Sequence, residues 1–171
     1  MSKFKPCWYK KSVFDINYDL LKKQKIKVII FDLDNTIAFI HEKSPSKEII
    51  ALFKKLNKIF DKIIIASNSP KRRVKNFGDE LNCLYYANLV KPTKLIEKKL
   101  FKDLKLNKAE ICLIGDQLMT DILLGNRIGV KTILVDPLGK KDFIVTSLNR
   151  YLEKKIFNKL GIKRGNYYEE E

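Results

Sequence analysis

The stretch Lys27–Thr36, KVIIFDLDNT, decides the fold. It contains four apolar residues at 28–31, rich in β-branched side chains, a pattern typical of a strand buried on both faces of a parallel sheet. This apolar run ends at two carboxylates, Asp32 and Asp34, separated by one residue. Because an unpaired carboxylate is costly to bury, the pair needs a cation nearby. The stretch therefore predicts a metal and phosphate site at the carboxyl end of a strand; a turn with a helix cap is the alternative.

The composition predicts one domain with a strongly positive surface. The chain has 171 residues, 45% of them hydrophobic, which is enough for a single domain with its own core. Its 35 Lys and Arg against 20 Asp and Glu give a net charge of +15, and such a field attracts nucleic acid, anionic lipid or a phosphorylated substrate. Most of the basic residues are Lys, which lacks the bidentate fork of Arg, so sequence-specific nucleic-acid binding is not expected. The alternative is a compositional bias that serves solubility.

Several classes of protein do not fit the sequence. The three cysteines are far apart and form no CxxC pair, which argues against zinc and disulfide frameworks. The single histidine, His41, argues against a multi-histidine metal site and a Ser-His triad. The first residues lack the apolar core of a signal peptide, and no apolar run approaches the roughly 20 residues of a membrane span. We expect a cytoplasmic protein, with peripheral attachment to a membrane as an option.

Strands and helices alternate along the chain. Further strands are predicted at 62–66, 84–86, 110–115 and 130–135. The segments between them have helical periodicity, with Ser46 as the N-cap of one helix, another helix over Thr93–Leu104, and Gly129 as a C-cap. This alternation predicts an α/β fold with a parallel five-stranded sheet that helices cover on both faces.

The two ends of the chain differ from the middle. Residues 1–26 are predicted to form an N-terminal arm packed on the domain, residues 27–137 the core, and residues 138–171 a basic amphipathic helix and tail. The helix, predicted over Lys141–Leu160, has apolar residues on one stripe and lysines beside it, and the tail is expected to fray from Tyr167. This helix either packs on the domain or lies on an anionic membrane.

Chemically active side chains follow four of the predicted strands. They are Asp32 and Asp34, then Ser67 and Asn68, then Lys91, then Asp116 and Asp121. This order resembles the haloacid dehalogenase (HAD) superfamily of phosphohydrolases, whose pattern is DxDxT, a hydroxyl after a second apolar strand, a Lys, and GDxxxxD. The segments DLDNT, SNSPKRR, KP and GDQLMTDILLGNRIG are more similar still to the YqeG-type branch (HAD subfamily IIIA), which includes the mitochondrial phosphatidylglycerophosphate phosphatases. The resemblance covers roughly residues 6–150.

The resemblance implies a three-layer, Rossmann-like fold and a role for each residue of DxDxT. Asp32 is expected to be the nucleophile that forms an aspartyl-phosphate. Asp34 is expected to be the general acid and base, with Thr36 orienting it. The implied cofactor is Mg²⁺, held by Asp32, the backbone carbonyl of Asp34, and Asp116.

The remaining motif residues have supporting roles by the same resemblance. Ser67 and Asn68 are expected to bind the substrate phosphate, and Lys91 to bind it and offset the charge that develops during transfer. Asp121 is expected to support the metal end of the site. Taken one at a time, Ser67, Asn68 and Asp116 are equally typical of helix caps, and Lys91 is one lysine among many.

The short gaps between the motifs leave no room for a large cap domain. About 25 residues separate Thr36 from the second strand, and about 20 separate Ser67 from Lys91. An open site suits a large substrate whose own bulk excludes water. The motifs predict a Mg²⁺-dependent phosphomonoesterase, and the family resemblance together with the open site implies that it converts phosphatidylglycerophosphate to phosphatidylglycerol. The alternatives are a basic RNA- or ribosome-binding module with a vestigial site, and a phosphatase acting on a protein or nucleic-acid phosphate.

Overall fold

The structure is a computed structural model that describes residues 2–93, 97–98, 101, 105–139, 153 and 155–169. Within this part of the chain the strands are β1 (Trp8–Lys10), β2 (Val28–Phe31), β3 (Lys62–Ala66), β4 (Leu84–Tyr86), β5 (Ile111–Gly115), β6 (Lys131–Val135) and β7 (Tyr168–Glu169). The helices are α1 (Tyr18–Lys23), α2 (Lys47–Ile59), α3 (Lys71–Glu80) and α4 (Leu123–Ile128).

One sheet contains all of these strands, in the order β4-β3-β2-β5-β6-β1-β7. Every pairing is parallel except that of β7 with β1. In register, Ile30 of β2 lies between Ile64 of β3 and Leu113 of β5. The parallel strands therefore end together, and we call this side of the sheet the carboxyl edge.

Helices cover both faces of the sheet, as the alternating pattern predicts. Side chains alternate between the faces along a strand, so Ile29 and Phe31 of β2 belong to the apolar cluster that includes α1, α2 and α3. Val28 and Ile30 belong to the cluster on the opposite face, which includes α4. All four residues of β2 are buried, as expected for a central parallel strand. The α/β fold with three layers is confirmed.

Two local signals placed helix ends correctly. The Ser46 hydroxyl accepts a hydrogen bond from the backbone N–H of Ile49 at 3.3 Å, which caps α2. Gly129 has φ of 78°, the left-handed conformation that ends α4 without steric cost. The helix predicted over Thr93–Leu104 and the first half of the one predicted over Lys141–Leu160 lie largely outside the described residues.

The sheet has seven strands where the sequence predicted five. The five predicted strands are present, and the two additional ones come from the ends of the chain. β1, inside the predicted N-terminal arm, pairs with β6 through Trp8 and Ile133, and Tyr168 of the tail pairs with Tyr9. The expectation of fraying from Tyr167 is therefore wrong for β7. Strands of three and two residues are too short to show a period. β1 forms because β6 offers an edge for pairing, and β7 forms because β1 then offers one.

The C-terminal helical segment 155–160 packs against the sheet. Phe157 is buried beside Tyr9, with ring centroids 6.2 Å apart, and it shares an apolar cluster with Leu118 and Leu134. The described part of this helix therefore takes the packed arrangement rather than the membrane-lying one. Among the described residues, no helix combines the length and the apolar character that crossing a bilayer requires.

The gaps between the motifs contain no cap domain. Between Thr36 and β3 the chain forms one loop and α2, and between Ser67 and Lys91 it forms α3 and β4.

Candidate active site

A tight turn after β2 sends its two carboxylates in different directions. The backbone N–H of Asp32 still donates to Ile114 of β5 at 2.9 Å, so Asp32 belongs to the sheet. Asn35 then adopts φ of 60°, and its N–H donates to the Ala38 carbonyl at 2.7 Å. Asn accepts this left-handed conformation more readily than most residues. The turn leaves Asp32 buried, whereas the Asp34 side chain is 22% exposed.

Three buried carboxylates converge at the carboxyl edge. One oxygen each from Asp32, Asp116 and Asp121 lies within 4.8 Å of the others. Asp116 follows β5 directly, and the π-helical turn Leu118–Ile122 carries Asp121 back over the end of β5. This approach requires Gly115, because an added Cβ there would lie 2.4 Å from the Asp121 Cγ. We call these three residues the acidic cluster.

Lys91 is the cation that the protein itself supplies to the acidic cluster. Its Nζ donates to Asp32, to Asp121 at 2.6 Å, and to the carbonyl of Ala66 at 3.0 Å. Its side chain is 3% exposed, so these interactions take place away from water. The Asn68 side-chain oxygen accepts a hydrogen bond from the backbone N–H of Lys91 at 2.7 Å, which fixes the loop that carries the lysine.

Thr36 contacts the acidic cluster rather than Asp34. Its hydroxyl lies 3.3 Å from an oxygen of Asp116 and 3.5 Å from an oxygen of Asp32. The sequence led us to expect that Thr36 orients Asp34, but the turn after β2 points the hydroxyl inward. Thr36 therefore links Asp32 with Asp116, and these two carboxylates face each other.

The pKa values of the acidic cluster are raised by burial and by the closeness of the carboxylates to one another. Burial raises the pKa of Asp32 to about 7; Asp121 adds to this rise and Lys91 opposes it. Burial, followed by the charges of Asp121 and Asp32, raises the pKa of Asp116 well above its usual value. Burial lowers the pKa of Lys91, but Asp121 and Asp32 outweigh this effect and raise it overall, so the lysine stays charged.

These residues fit a divalent cation. When all three carboxylates are ionised, they and the one ammonium together carry two negative charges in excess, which a divalent cation would balance. Carboxylate oxygens are the ligands that hard cations prefer. Asp32 and Asp116, the two predicted side-chain ligands, lie in the cluster together with Asp121, which the sequence assigned only a supporting role.

Asp34 has partners that sequence reasoning missed. Arg73 binds its Oδ1, with Nε at 3.0 Å and a terminal nitrogen at 2.8 Å, and the Ser69 hydroxyl donates to its Oδ2. The same guanidinium donates to the carbonyls of Phe39, at 2.9 Å, and Glu42. Arg73 therefore ties the Asp34 carboxylate to the loop after β2. The available signal was the segment SNSPKRR, which places Arg73 in the first turn of α3.

Ser67 and Asn68 lie beside the acidic cluster at the end of β3. Ser67 is 1% exposed, and its hydroxyl oxygen accepts the N–H of Ser69 at 3.0 Å. That bond leaves the Ser67 hydroxyl proton available to a ligand. Asn68 has an exposed side chain whose oxygen bonds the Lys91 backbone, so at least part of its role is structural.

One further buried residue escaped the sequence analysis. Glu153, from the C-terminal region, accepts the backbone N–H of Leu118 at 2.9 Å. This bond holds the start of the turn that carries Asp121. A lone glutamate in a lysine-rich segment gave no signal of this contact.

Comparison with known proteins identifies the family. Residues 1–139 match the family described as mitochondrial PGP phosphatase. The chain is 35% identical over 167 residues to the probable phosphatase YqeG of Bacillus subtilis, covering 98% of this chain and 97% of that protein. It is 25% identical over 146 residues to phosphatidylglycerophosphate phosphatase 1, chloroplastic/mitochondrial, of Arabidopsis thaliana, covering 79% of this chain and 42% of that one.

Solved structures share the fold. The cobalt-bound form of deoxy-D-mannose-octulosonate 8-phosphate phosphatase (YrbI) from Haemophilus influenzae superposes with a TM-score of 0.52 at 16% identity, over 82% of this chain and 92% of that one. The family match and the 35% identity to YqeG show that this chain belongs to the PGP phosphatase family of HAD-type phosphatases and is a phosphoric monoester hydrolase.

Proposed function

We propose that this chain is a Mg²⁺-dependent phosphatase that converts phosphatidylglycerophosphate to phosphatidylglycerol through an aspartyl-phosphate. The observation that carries the chemistry is the acidic cluster, with Asp32 buried against Lys91. The family match and the Arabidopsis relative support the substrate. The short connections between the motifs support it as well, because they hold no cap domain and suit a large lipid substrate.

The first half of the reaction transfers the phosphoryl group to the enzyme. A carboxylate oxygen of Asp32 attacks phosphorus and the bond from phosphorus to the lipid oxygen breaks. Asp34 gives its proton to the departing oxygen, which leaves as the alcohol of the product. Arg73 and Ser69 hold the Asp34 carboxylate in one orientation beforehand, so its direction is preorganised.

The second half restores the enzyme. Asp34, now ionised, takes a proton from a water molecule whose oxygen attacks phosphorus. The bond between Asp32 and phosphorus breaks, and inorganic phosphate leaves. One carboxylic group thus serves as acid and then as base, because the first step deprotonates it.

The other residues neutralise and position the phosphate. The Lys91 ammonium and the Ser67 hydroxyl lie at the same edge as Asp32 and would donate to phosphate oxygens, with Asn68 fixing the lysine loop and contributing its exposed amide. Asp32, the backbone carbonyl of Asp34 and Asp116 would hold Mg²⁺, with Asp121 and Thr36 supporting them. The ion would supply charge neutralisation to the carboxylates and the phosphate.

The test is turnover of a panel of phosphate esters with Mg²⁺ and with EDTA. The panel contains an aryl phosphate, a soluble alkyl phosphate, and phosphatidylglycerophosphate in vesicles. We expect Mg²⁺-dependent release of phosphate, fastest from the lipid. Asp32→Asn should abolish turnover of every substrate, whereas the control Asp61→Asn, at an exposed turn before β3, should not change it.

Two results would contradict the proposal in different ways. Full turnover by Asp32→Asn would exclude the aspartyl-phosphate mechanism. Preference for a phosphoprotein or for phosphorylated nucleic-acid ends over the lipid would exclude the substrate while keeping the enzyme class.

A further inference from the structure

Exposed apolar side chains collect at the carboxyl edge of the sheet. Among the described residues, six large apolar side chains are exposed, and four of them follow parallel strands: Phe14 (53%), Phe39 (37%), Val90 (63%) and Leu138 (36%). They come after β1, β2, β4 and β6 respectively. The six parallel strands from β4 to β1 span about 24 Å, so these side chains are distributed across the whole width of the edge. Leu84, in contrast, begins β4 at the opposite edge.

The loops that carry these side chains touch one another around the acidic cluster. The backbone N–H of Leu138 donates to the Asn35 carbonyl at 2.9 Å, which joins the loops after β6 and β2. The N–H of Asp136 donates to the Lys11 carbonyl at 3.3 Å, which joins the loops after β6 and β1. Val90 immediately precedes Lys91, the buried lysine that contacts the acidic cluster. The apolar side chains therefore lie at the same edge of the sheet as the acidic cluster.

Exposed basic residues lie at the same edge of the sheet, in two of these loops and at the start of α3. They are Lys11 after β1, Lys43 after β2, and Lys71 and Arg72 in the first turn of α3. The loops also contain Asp15, Glu42 and Asp136. Asp136 forms an ion pair with Arg164 at 3.2 Å. Glu42 accepts the Phe39 N–H at 2.8 Å and Asp15 accepts the Ser12 hydroxyl, and these neutral donors do not cancel the charge of either residue. We call the four apolar and four basic residues together the docking face.

We propose that the docking face binds the surface of an anionic phospholipid bilayer, so that the acidic cluster faces the lipid headgroups. This inference rests on the proposed function, because turning the acidic cluster toward the headgroups is useful only if the substrate is a membrane lipid. Apolar side chains that enter the headgroup boundary, with lysines and arginines beside them, are the combination that surface-bound proteins use on anionic membranes. Docking would place the phosphate of a membrane lipid at the active site.

The apolar members of the docking face favour lipid over nucleic acid. A nucleic-acid surface uses basic side chains with aromatic rings on which bases stack. Val90 and Leu138 have no ring, and Val90 is the most exposed of the four. Lysines alone do not discriminate, because they also cover the outer face of α2. The coincidence of apolar and basic groups at the edge that holds the acidic cluster carries the inference.

The test measures binding of the full chain to vesicles of phosphatidylcholine with and without phosphatidylglycerol, without turnover. We expect binding that requires the anionic lipid and weakens with salt. The triple variant Lys11→Glu, Lys71→Glu, Arg72→Glu should bind at least about 100-fold more weakly, since each basic residue near the surface contributes roughly fivefold. Phe14→Ser with Leu138→Ser should weaken binding by about tenfold or more.

Matched variants on the opposite edge provide the controls. The triple variant Lys22→Glu, Lys55→Glu, Lys58→Glu makes the same change in net charge, and Leu84→Ser removes one apolar side chain whose exposed fraction, 43%, lies between those of Phe14 and Leu138. Both should bind vesicles like the parent chain. An equal loss in the controls, or no vesicle binding by the parent chain, overturns the inference, as does tight RNA binding that depends on the basic residues without any lipid binding.

A soluble aryl phosphate separates this inference from the proposed function. The docking-face variants should turn it over at the rate of the parent chain, because none of the changed residues contacts the acidic cluster. Aryl phosphatase activity without vesicle binding would overturn the docking face alone. Vesicle binding without phosphatase activity would overturn the proposed function alone.

Discussion

Replacing Lys91 by Met should destabilise the metal-free protein far more than it destabilises the metal-bound protein. The Lys91 side chain is 3% exposed, and its ammonium is the positive charge that the chain places between Asp32 and Asp121. Met has a similar volume and no charge, so the substitution leaves the packing nearly intact. What it removes is the partner of two buried carboxylates.

The magnitude follows from the cost of leaving a buried charge unpaired. Breaking a buried ion pair by removing one partner costs about 3–5 kcal/mol. For a chain of 171 residues this corresponds to a loss of roughly 6–20 °C in the thermal midpoint. Proton uptake by the carboxylates limits the loss at low pH, so the loss should be larger at pH 8, above the pKa of about 7 that Asp32 has beside Lys91, than at pH 5.5; removing Lys91 raises the pKa of Asp32 further, so the loss should keep growing above pH 8.

The assay is urea unfolding of parent and variant in EDTA and in saturating Mg²⁺. A divalent cation would replace the missing positive charge, so Mg²⁺ should stabilise Lys91→Met more than the parent. Adding Asp121→Asn should restore part of the stability in EDTA, because the two residues are coupled. The control Lys75→Met removes a lysine from an exposed ion pair with Asp79 and should leave the midpoint unchanged.

Equal stability of Lys91→Met and the parent in EDTA at pH 8 would refute the reasoning. It would mean that the carboxylates do not depend on the lysine for their charge balance. An equal loss in EDTA and in Mg²⁺ would refute the inference that the acidic cluster holds a divalent cation.

Three other outcomes follow from the site. Arg73→Ala should lower turnover of an alkyl phosphate about 100-fold, and the loss on a nitrophenyl phosphate should be at least tenfold smaller, since a good leaving group needs little help from the general acid that Arg73 positions. Arg72→Ala is the control, and an equal loss on both esters would contradict the role of Arg73. Gly115→Ala should cost about 1–3 kcal/mol in unfolding free energy and weaken metal binding, because the new Cβ would lie 2.4 Å from Asp121 Cγ. Calorimetric metal affinity should rise with pH through about 7, because protons on Asp32 and Asp116 compete with the metal and the pKa values of both are raised; a pH-independent affinity would contradict this.

Local patterns in the sequence were sufficient for the central strands and their chemical residues. The apolar run of β2 and the two aspartates after it lie within seven residues of one another. A run of four β-branched and aromatic residues is typical of a strand buried on both faces, so the sequence predicted the strand directly. Because parallel strands end at one edge, the order of the motifs also predicted that Asp32, Ser67, Lys91 and Asp116 would lie together. They do, within a single buried constellation.

The short strands and the partners of Asp34 were beyond sequence reasoning. β1 and β7 have three and two residues, so only an available neighbouring edge makes them strands. Arg73 reaches Asp34 from a different element, and nothing in a helix start with three consecutive basic residues marks one of them as the partner of a carboxylate. The same holds for Glu153 and the turn that carries Asp121.

By itself, the sequence determined which residues could be catalytic or bind ligands and that they would lie at one edge of the sheet. It could do so because the spacing of apolar residues and the alternation of strands and helices are visible in the order of residues along the chain. The tertiary structure decided which way each side chain faces. In the folded chain the Thr36 hydroxyl contacts Asp116, Arg73 forms an ion pair with Asp34, and Asp121 reaches the acidic cluster by passing over Gly115. These side-chain orientations depend on backbone turns and on contacts between residues that are distant in the chain. Such contacts stabilise the protein only when the layers of the fold have packed together.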